Sequence, residues 1–438
     1  MNRRRNDRVL VIFLGIHLFI SLFIQLVNSA DSVYAQTTLP SPAPTVSSQP
    51  TQATPPVAND GFAHKGFSLL KRVAAWVGAH NAMAAAVLWL VGFPVVWGVL
   101  LAFYPVALLT PLRLCSAISE ISFFGLKFPS PEYVTFLWLF VYRKRVLDRW
   151  VGNHAADART KLAQRDTVRD RAFWVPLPVR VEGQKLYPEL SVNDVRPFFE
   201  QRQLHILIHG DGGTGKTSLA CQIANWGLAP ASEQRLRPHL MIPVILESDF
   251  VQSADGKLDD VEGLLREQIK VVTGARKDLP PQFIKELCST GRVLIIIDSL
   301  SERSGAVRDY LSLRGATGPF QCVVFTSRTA ETEVLKLIAL TRLQTLRLQG
   351  EDLWEFTQRY LSMRTDAEQF TEREVIGMCE RLSDIAGDRD VTAMLARMYT
   401  DMEITRKTKD AGLNHPQHLP GLMLEYVKQI SEKAGYIT

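Results

Sequence analysis

The chain has 438 residues but only five cysteines, and two long stretches of it carry no charged side chain. No cysteine precedes Cys115, and no two cysteines are close enough in sequence to form a metal-binding pair. A disulfide framework is therefore not expected, and thiols in this pattern fit a reducing compartment. Residues 9–27 and 73–112 contain no Asp, Glu, Lys or Arg, which argues against an enzyme that is soluble throughout. The overall composition excludes collagenous, coiled-coil and wholly disordered proteins.

The first 35 residues have the pattern of a targeting segment. Four arginines within the first eight residues precede the uncharged run at residues 9–27, and small-residue sites follow it. This pattern predicts either a cleaved signal peptide or a retained signal-anchor in residues 1–35, and both alternatives stay open. Residues 36–72 are rich in Pro, Ser and Thr, so we expect them to form an extended extracytoplasmic linker.

The second uncharged run predicts a transmembrane segment in residues 73–112, with the span near residues 82–104. Residues 113–172 form a basic juxtamembrane linker, because residues 113–171 hold eleven Lys or Arg against six Asp or Glu. A solvated helical linker is the alternative interpretation of that stretch, and no nucleic-acid partner is expected. The distribution of Lys and Arg places the remainder of the chain in the cytoplasm, at the inner (plasma) membrane.

A glycine-rich motif follows the apolar run at residues 204–209 and precedes a stretch with helical spacing of apolar residues. The motif matches the phosphate-binding loop pattern in full, and we include the serine that follows it as a candidate nucleotide-binding residue. Its residues are Gly210, Asp211, Gly212, Gly213, Thr214, Gly215, Lys216, Thr217 and Ser218. Glycines allow the backbone to present N–H groups to phosphates, the lysine neutralises phosphate charge, and the Thr217 hydroxyl would hold Mg²⁺.

Three further residues at the ends of predicted strands complete the candidate site. Asp298 follows a fully apolar run and is the expected metal-side carboxylate, holding Mg²⁺ through water. Glu302 is placed to polarise an attacking water, and Arg328 follows another strand and could contact the γ-phosphate. A surface carboxylate and a solvated arginine are the alternative interpretations of Glu302 and Arg328.

The apolar runs predict an α/β domain at residues 173–349, with a doubly wound parallel sheet of the P-loop NTPase type. Its predicted strands are residues 204–209, 240–246, 293–297, 322–326 and 343–348. Residues 350–438 show helical spacing and predict a small helical subdomain.

The blocks GDGGTGKT, LIIIDSLSE and VVFTSR, in this order and spacing, resemble the NACHT group of STAND-class P-loop NTPases. The resemblance covers residues 174–438 and implies ATP and Mg²⁺ as cofactors and a nucleotide-dependent signalling switch. It also implies self-association, or a partner protein that carries a sensor or effector. Bacterial defence or envelope signalling is suggested by the resemblance alone. Ser301 stands where the family commonly has a second acidic residue, and the chain shows no sensor repeats.

Three functions stay open at this point. The first is the membrane-anchored ATP-hydrolysing switch, the second an AAA+-like ATPase that remodels a membrane partner, and the third a nucleotide-binding scaffold without meaningful turnover. The chain has no Asn-Lys-x-Asp block for reading guanine, so ATP is the expected nucleotide, with GTP left open.

Overall fold

The structure is a computed structural model that describes most of the chain from residue 81 onward. The described residues are 81–116, 121–123, 126–128, 131–171, 174–201, 203–247, 261–275, 278–305, 307–308, 311, 321–330, 340–364, 370–387, 390–409 and 416–433. The predicted targeting segment at 1–35 and the linker at 36–72 lie outside them. The chain divides into two compact units, Met1–Arg149 and Trp150–Thr438.

In its described residues, the first unit contains helices and an antiparallel pair of strands, β1 (Ile121–Phe123) and β2 (Leu126–Phe128). Its helices are Asn81–Phe103, Leu109–Ser116, Pro131–Val134 and Trp138–Val141. The Trp97 indole donates a hydrogen bond to the carbonyl of Thr135 at 2.7 Å, which ties the first helix to the loop between the last two. The helix Lys144–Gln164 contains the boundary between the two units.

Among the described residues, no helix combines the length and the apolar character that a membrane crossing requires. The transmembrane helices of the predicted fold class, in residues 73–112, are therefore a wrong prediction. A helix does form at Asn81–Phe103, with Pro94 inside it. Part of its apolar surface packs within the first unit, where Trp97 and Leu100 are buried. An uncharged apolar run does not by itself identify a membrane span, because packed protein cores also select apolar side chains.

The second unit is built around a seven-stranded sheet in the described residues, with the order β4-β3-β9-β5-β8-β7-β6. The strands are β3 (Val179–Val181), β4 (Lys185–Tyr187), β5 (Leu204–His209), β6 (Ile242–Leu246), β7 (Val293–Ile297), β8 (Cys322–Ser327) and β9 (Leu340–Thr345). Strands β5 to β8 are buried along almost their whole length, as their apolar sequences require. Pro243 lies in β6, the strand at the sheet edge, where a missing N–H is tolerated.

The sheet is mixed, so the prediction of a parallel sheet throughout is wrong. The strands from β9 to β6 run parallel, but β3 pairs antiparallel with both β9 and β4. The hairpin of β3 and β4 comes from the segment before β5, and its strands of three residues each were too short to show a period in the sequence.

The last strand begins and ends earlier than the sequence predicts. β9 is Leu340–Thr345 rather than 343–348, because its pairing with β5 starts at Leu340 opposite His205. Leu348 leaves the sheet and forms an isolated antiparallel bridge with Val391.

Helices cover the sheet and then form a separate cluster after β9. The helices of the sheet region are Asp166–Arg169, Val192–Phe199, Lys216–Gly227, Val261–Thr273 and Pro281–Ser289, and those that follow β9 are Gly350–Met363, Glu372–Ala386, Ala393–Lys409 and Leu419–Lys433. The four later helices share an apolar core with Val175 and Leu177, which lie in the segment before β3. We call the helices from Gly350 to Lys433 the helical subdomain.

The parallel strands determine where the functional residues meet. The carboxyl ends of β5, β7, β8 and β9 lie at the same edge of the sheet, with β5 between β8 and β9. In open parallel sheets ligands bind outside these ends, where neighbouring connections diverge. Side chains that are far apart in sequence are thereby brought to one place.

Candidate functional site

The loop from Gly210 to Thr217 connects β5 to the helix Lys216–Gly227, and its backbone requires glycine at three positions. Gly213 and Gly215 have φ values of 79° and 90°, in the left-handed region that favours glycine. A Cβ at Gly210 would lie 2.6 Å from the carbonyl oxygen of Thr345, and one at Gly215 would overlap the Leu177 side chain.

Gly212 and Ser218 are less constrained. A Cβ at Gly212 would meet no atom within 4 Å, so the fold itself does not require glycine there. Ser218 is the third residue of the helix that begins at Lys216. The N-terminus of that helix has the geometry in which backbone N–H groups and the helix dipole attract anions.

The centre of the loop is fastened to the neighbouring strand β9. The Thr214 hydroxyl donates to the carbonyl of Asp211 at 2.8 Å and is 2.7 Å from the Thr345 hydroxyl. Thr214 and Thr345 are both buried. Thr345 in turn donates to the carbonyl of His209 at 3.4 Å. The loop is thus held in shape by contacts that need no ligand.

Lys216 lies over the loop and contacts its backbone. Its ammonium donates to the carbonyl oxygens of Gly210, at 2.9 Å, and Asp211, at 2.6 Å. Burial lowers the pKa of Lys216, and the Arg328 guanidinium lowers it further, while the acidic side chains of the site oppose both effects. A half-buried ammonium held inside this loop is placed to receive an anionic group.

Asp298, directly after β7, contacts hydroxyl groups from two other elements. Its Oδ1 accepts hydrogen bonds from Thr217 at 2.9 Å and from Thr326, in β8, at 2.6 Å. The Thr326 hydroxyl also accepts from the backbone N–H of Ser299 at 2.8 Å. The predicted metal-side carboxylate and the predicted metal-side hydroxyl are therefore adjacent, and Thr326 is a neighbour that sequence reasoning missed.

The backbone around Asp298 is fixed from the other side by a buried arginine. Arg303 donates to the carbonyl of Asp298 at 2.8 and 3.1 Å and to the carbonyl of Leu246 at 2.7 Å. Ser299, next to Asp298, has a φ of 56°, an uncommon value for a residue with a side chain. The turn that carries Asp298 away from the sheet is therefore held by side-chain contacts.

Glu302 and Arg328 lie together at the open side of the site. The Arg328 Nη2 is 2.6 Å from Glu302 Oε1, and the backbone N–H of Arg328 donates to the Ser301 hydroxyl at 3.2 Å. The sequence suggested separate tasks for the two residues, and the structure brings them into contact with each other.

Two contacts from beyond β9 reach the loop Gly210–Thr217 and were not predicted. Arg347 Nε is 2.8 Å from Asp211 Oδ2, and the backbone N–H of Met394 donates to the carbonyl of Gly213 at 3.0 Å. In the sequence, Arg347 is marked only by its position between two leucines near the end of the predicted strand 343–348. Nothing in the sequence pattern points to Met394.

The residues present fit a nucleotide phosphate with Mg²⁺. Thr217 and Asp298 offer hard oxygen ligands within 2.9 Å of each other, and the loop offers glycine-rich backbone and a lysine. The described part of the chain has no group of three or more His, Cys, Asp or Glu that could hold a metal ion. Mg²⁺ usually takes only one or two protein ligands and completes its coordination with phosphate and water.

Comparison with known proteins adds little to this geometry. No protein-family model matches the chain, and the comparison with curated proteins gives no match. A solved structure of PCH-2 from C. elegans is similar over 61% of this chain and 69% of that chain, at 13% identity and a TM-score of 0.20. By its own strand order, the second unit is an α/β fold with a mixed sheet, and it resembles a P-loop ATPase.

Proposed function

We propose that the chain binds Mg·ATP at the loop Gly210–Thr217 and hydrolyses it, as a nucleotide-dependent switch of the NACHT type. The observation that carries the proposal is the direct contact between Thr217 and Asp298, 2.9 Å apart, beside Lys216 in the same loop. These are the three groups that P-loop NTPases use for the phosphates and the metal.

Each residue of the site has a definite task in this proposal. The loop N–H groups and Lys216 bind the phosphate oxygens, and Thr217 and Asp298 hold the metal side. Bound Mg²⁺ would neutralise charge that develops on the transferred phosphoryl group. Glu302 accepts a proton from the attacking water, and Arg328 contacts the γ-phosphate.

One observation favours a scaffold without turnover as the second candidate. The Glu302 carboxylate contacts Arg328, whereas a general base must lie within hydrogen-bond reach of the water that it deprotonates. Hydrolysis therefore requires the pair to open, and a chain in which it stays closed binds nucleotide without turning it over. An AAA+-like remodelling ATPase is a third candidate, for which no arginine finger can be assigned.

The binding proposal is tested by titrating the full chain with Mg·ATP, Mg·ADP and Mg·GTP in a calorimeter. Lys216→Ala should weaken Mg·ATP binding at least tenfold, equivalent to about 1.4 kcal/mol, because it removes the cation of the loop. Lys285→Ala is the matched control, since Lys285 is exposed on the helix Pro281–Ser289. If a folded Lys216→Ala protein binds Mg·ATP with unchanged affinity, the loop Gly210–Thr217 is not the phosphate-binding site. Light scattering with each nucleotide then shows whether ATP promotes self-association.

A further inference from the structure

The phosphate loop is attached to the segment that leads into the helical subdomain. Arg347, two residues after β9, pairs with the Asp211 side chain at 2.8 Å. Met394, in the first turn of the helix Ala393–Lys409, donates its N–H to the carbonyl of Gly213 at 3.0 Å. Asp211 and Gly213 of the loop therefore both have partners near the helical subdomain. Arg347 precedes the first helix of the subdomain, and Met394 follows its second helix.

These two attachment points are themselves joined. Leu348, next to Arg347, exchanges backbone hydrogen bonds of 2.7 and 3.3 Å with Val391. Thr392, next to Val391, lies close to Gly213, because its Oγ1 would be 3.1 Å from a Cβ at that glycine. The bridge between Leu348 and Val391 thus places the residue before Leu348 and the residue after Val391 next to the loop.

Asp211 is the residue at which the contacts converge. Its carboxylate pairs with Arg347, while its carbonyl accepts from Lys216 at 2.6 Å and from Thr214 at 2.8 Å. A carboxylate in a phosphate-binding loop is electrostatically unfavourable unless another group offsets its charge. The Arg347 guanidinium offsets it and fixes the peptide to which Lys216 is bonded.

We propose that the Asp211–Arg347 pair is a brace that holds the loop in its phosphate-binding shape and couples nucleotide binding to the docking of the helical subdomain. The inference rests on the proposed nucleotide binding and assigns Arg347 a positioning role rather than a contact with phosphate. Coupling is reciprocal, so a nucleotide that needs the braced loop also strengthens the attachment of the subdomain.

The brace makes a distinctive prediction for Asp211→Asn. If Arg347 served the phosphates directly and Asp211 only competed for it, removing the carboxylate would tighten Mg·ATP binding. If the pair is a brace, Asp211→Asn and Arg347→Gln both weaken binding, by about two- to fivefold each, the effect expected of a partly exposed ion pair. The double variant is then no weaker than the weaker single variant, because both changes remove the same interaction.

The experiment titrates the full chain with Mg·ATP for the wild type, both single variants and the double variant. Arg347→Lys keeps a cation and should recover part of the affinity that Arg347→Gln loses. Arg169→Gln, which removes an exposed arginine paired with Asp166, is the matched control. Hydrogen exchange at the Met394 amide is the second readout, and Mg·ATP should slow it in the wild type more than in Arg347→Gln.

The outcomes separate the two proposals. A wild-type chain that does not bind Mg·ATP removes the proposed function and the brace together. A wild type that binds, with Asp211→Asn and Arg347→Gln unchanged, overturns the brace alone. Tighter binding by Asp211→Asn with weaker binding by Arg347→Gln also overturns it, in favour of a direct phosphate contact.

Discussion

Arg328 and Glu302 form an ion pair with 2.6 Å between Nη2 and Oε1 at the edge of the phosphate site. The two side chains are 65% and 51% exposed, and exposed pairs of this kind stabilise a protein by at most about 1 kcal/mol. In the proposed mechanism, we therefore expect the phosphate of a bound nucleotide to displace the Glu302 carboxylate from Arg328 and so open the pair.

Glu302→Gln should bind Mg·ATP with an affinity close to that of the wild type but hydrolyse it at least about a hundredfold more slowly. The amide keeps the shape of the side chain and cannot accept a proton from water. The measurement is phosphate release at saturating Mg·ATP, with Glu286→Gln, on the helix Pro281–Ser289, as the control. If Glu302→Gln hydrolyses ATP at the wild-type rate, Glu302 is a surface carboxylate without a role in hydrolysis.

Arg328→Ala should lose discrimination between ATP and ADP. A contact between the guanidinium and the γ-phosphate exists only in the triphosphate complex, so its loss weakens ATP binding and leaves ADP binding unchanged. One such contact supplies about 1 to 3 kcal/mol, a change in the affinity ratio of roughly five- to 150-fold. The two dissociation constants, measured side by side, decide the matter. If Arg328→Ala keeps the wild-type ratio of the ATP and ADP dissociation constants, Arg328 does not contact the γ-phosphate.

Thr326→Val should raise the Mg²⁺ concentration needed for nucleotide binding, by a few-fold. The Thr326 hydroxyl donates to Asp298 Oδ1 at 2.6 Å, and its loss leaves the carboxylate less firmly oriented toward Thr217. Nucleotide binding is measured across a Mg²⁺ titration. Thr408→Val is a suitable control, because Thr408 is exposed on a helix and donates only along it. An identical Mg²⁺ midpoint in Thr326→Val would show that Asp298 needs no such support.

His209 should make stability depend on pH below neutrality. Burial lowers the pKa of His209, and the charges of Arg342 and Lys216 lower it further. The unfolded chain therefore binds a proton at a higher pH than the folded chain does. The free energy of unfolding should be highest above the unfolded pKa of about 6.5 and fall as pH decreases toward the lowered value. Urea unfolding between neutral and mildly acidic pH should show a shallower decline in His209→Gln, and an equal decline would contradict the prediction.

The parts of the site that the sequence predicted are those fixed by local patterns. The bounds of β5 and β7 match the prediction because both are short, mostly apolar runs that end directly before Gly210 and Asp298. Asp298 and Lys216 followed from their positions at strand and loop ends. The pairing of Arg347 with Asp211 joins residues 136 positions apart, and no local pattern encodes it. The antiparallel pairing of β3 and the earlier start of β9 depend on which strands pair with β9. That pairing is set by tertiary contacts and not by the local sequence.

The position of β9 between β3 and β5 has a consequence for how the chain acquires its fold. β9 is the last strand of the sheet to be synthesised, yet it fills a gap between two segments that are made much earlier. Until residues 340–345 emerge, the backbone of β5 has one unpaired edge, and the strand is apolar and buried in the finished protein. Unpaired edges of apolar strands promote aggregation. Fragments that end before residue 340 should therefore aggregate on expression, even though they contain the whole phosphate loop and Asp298.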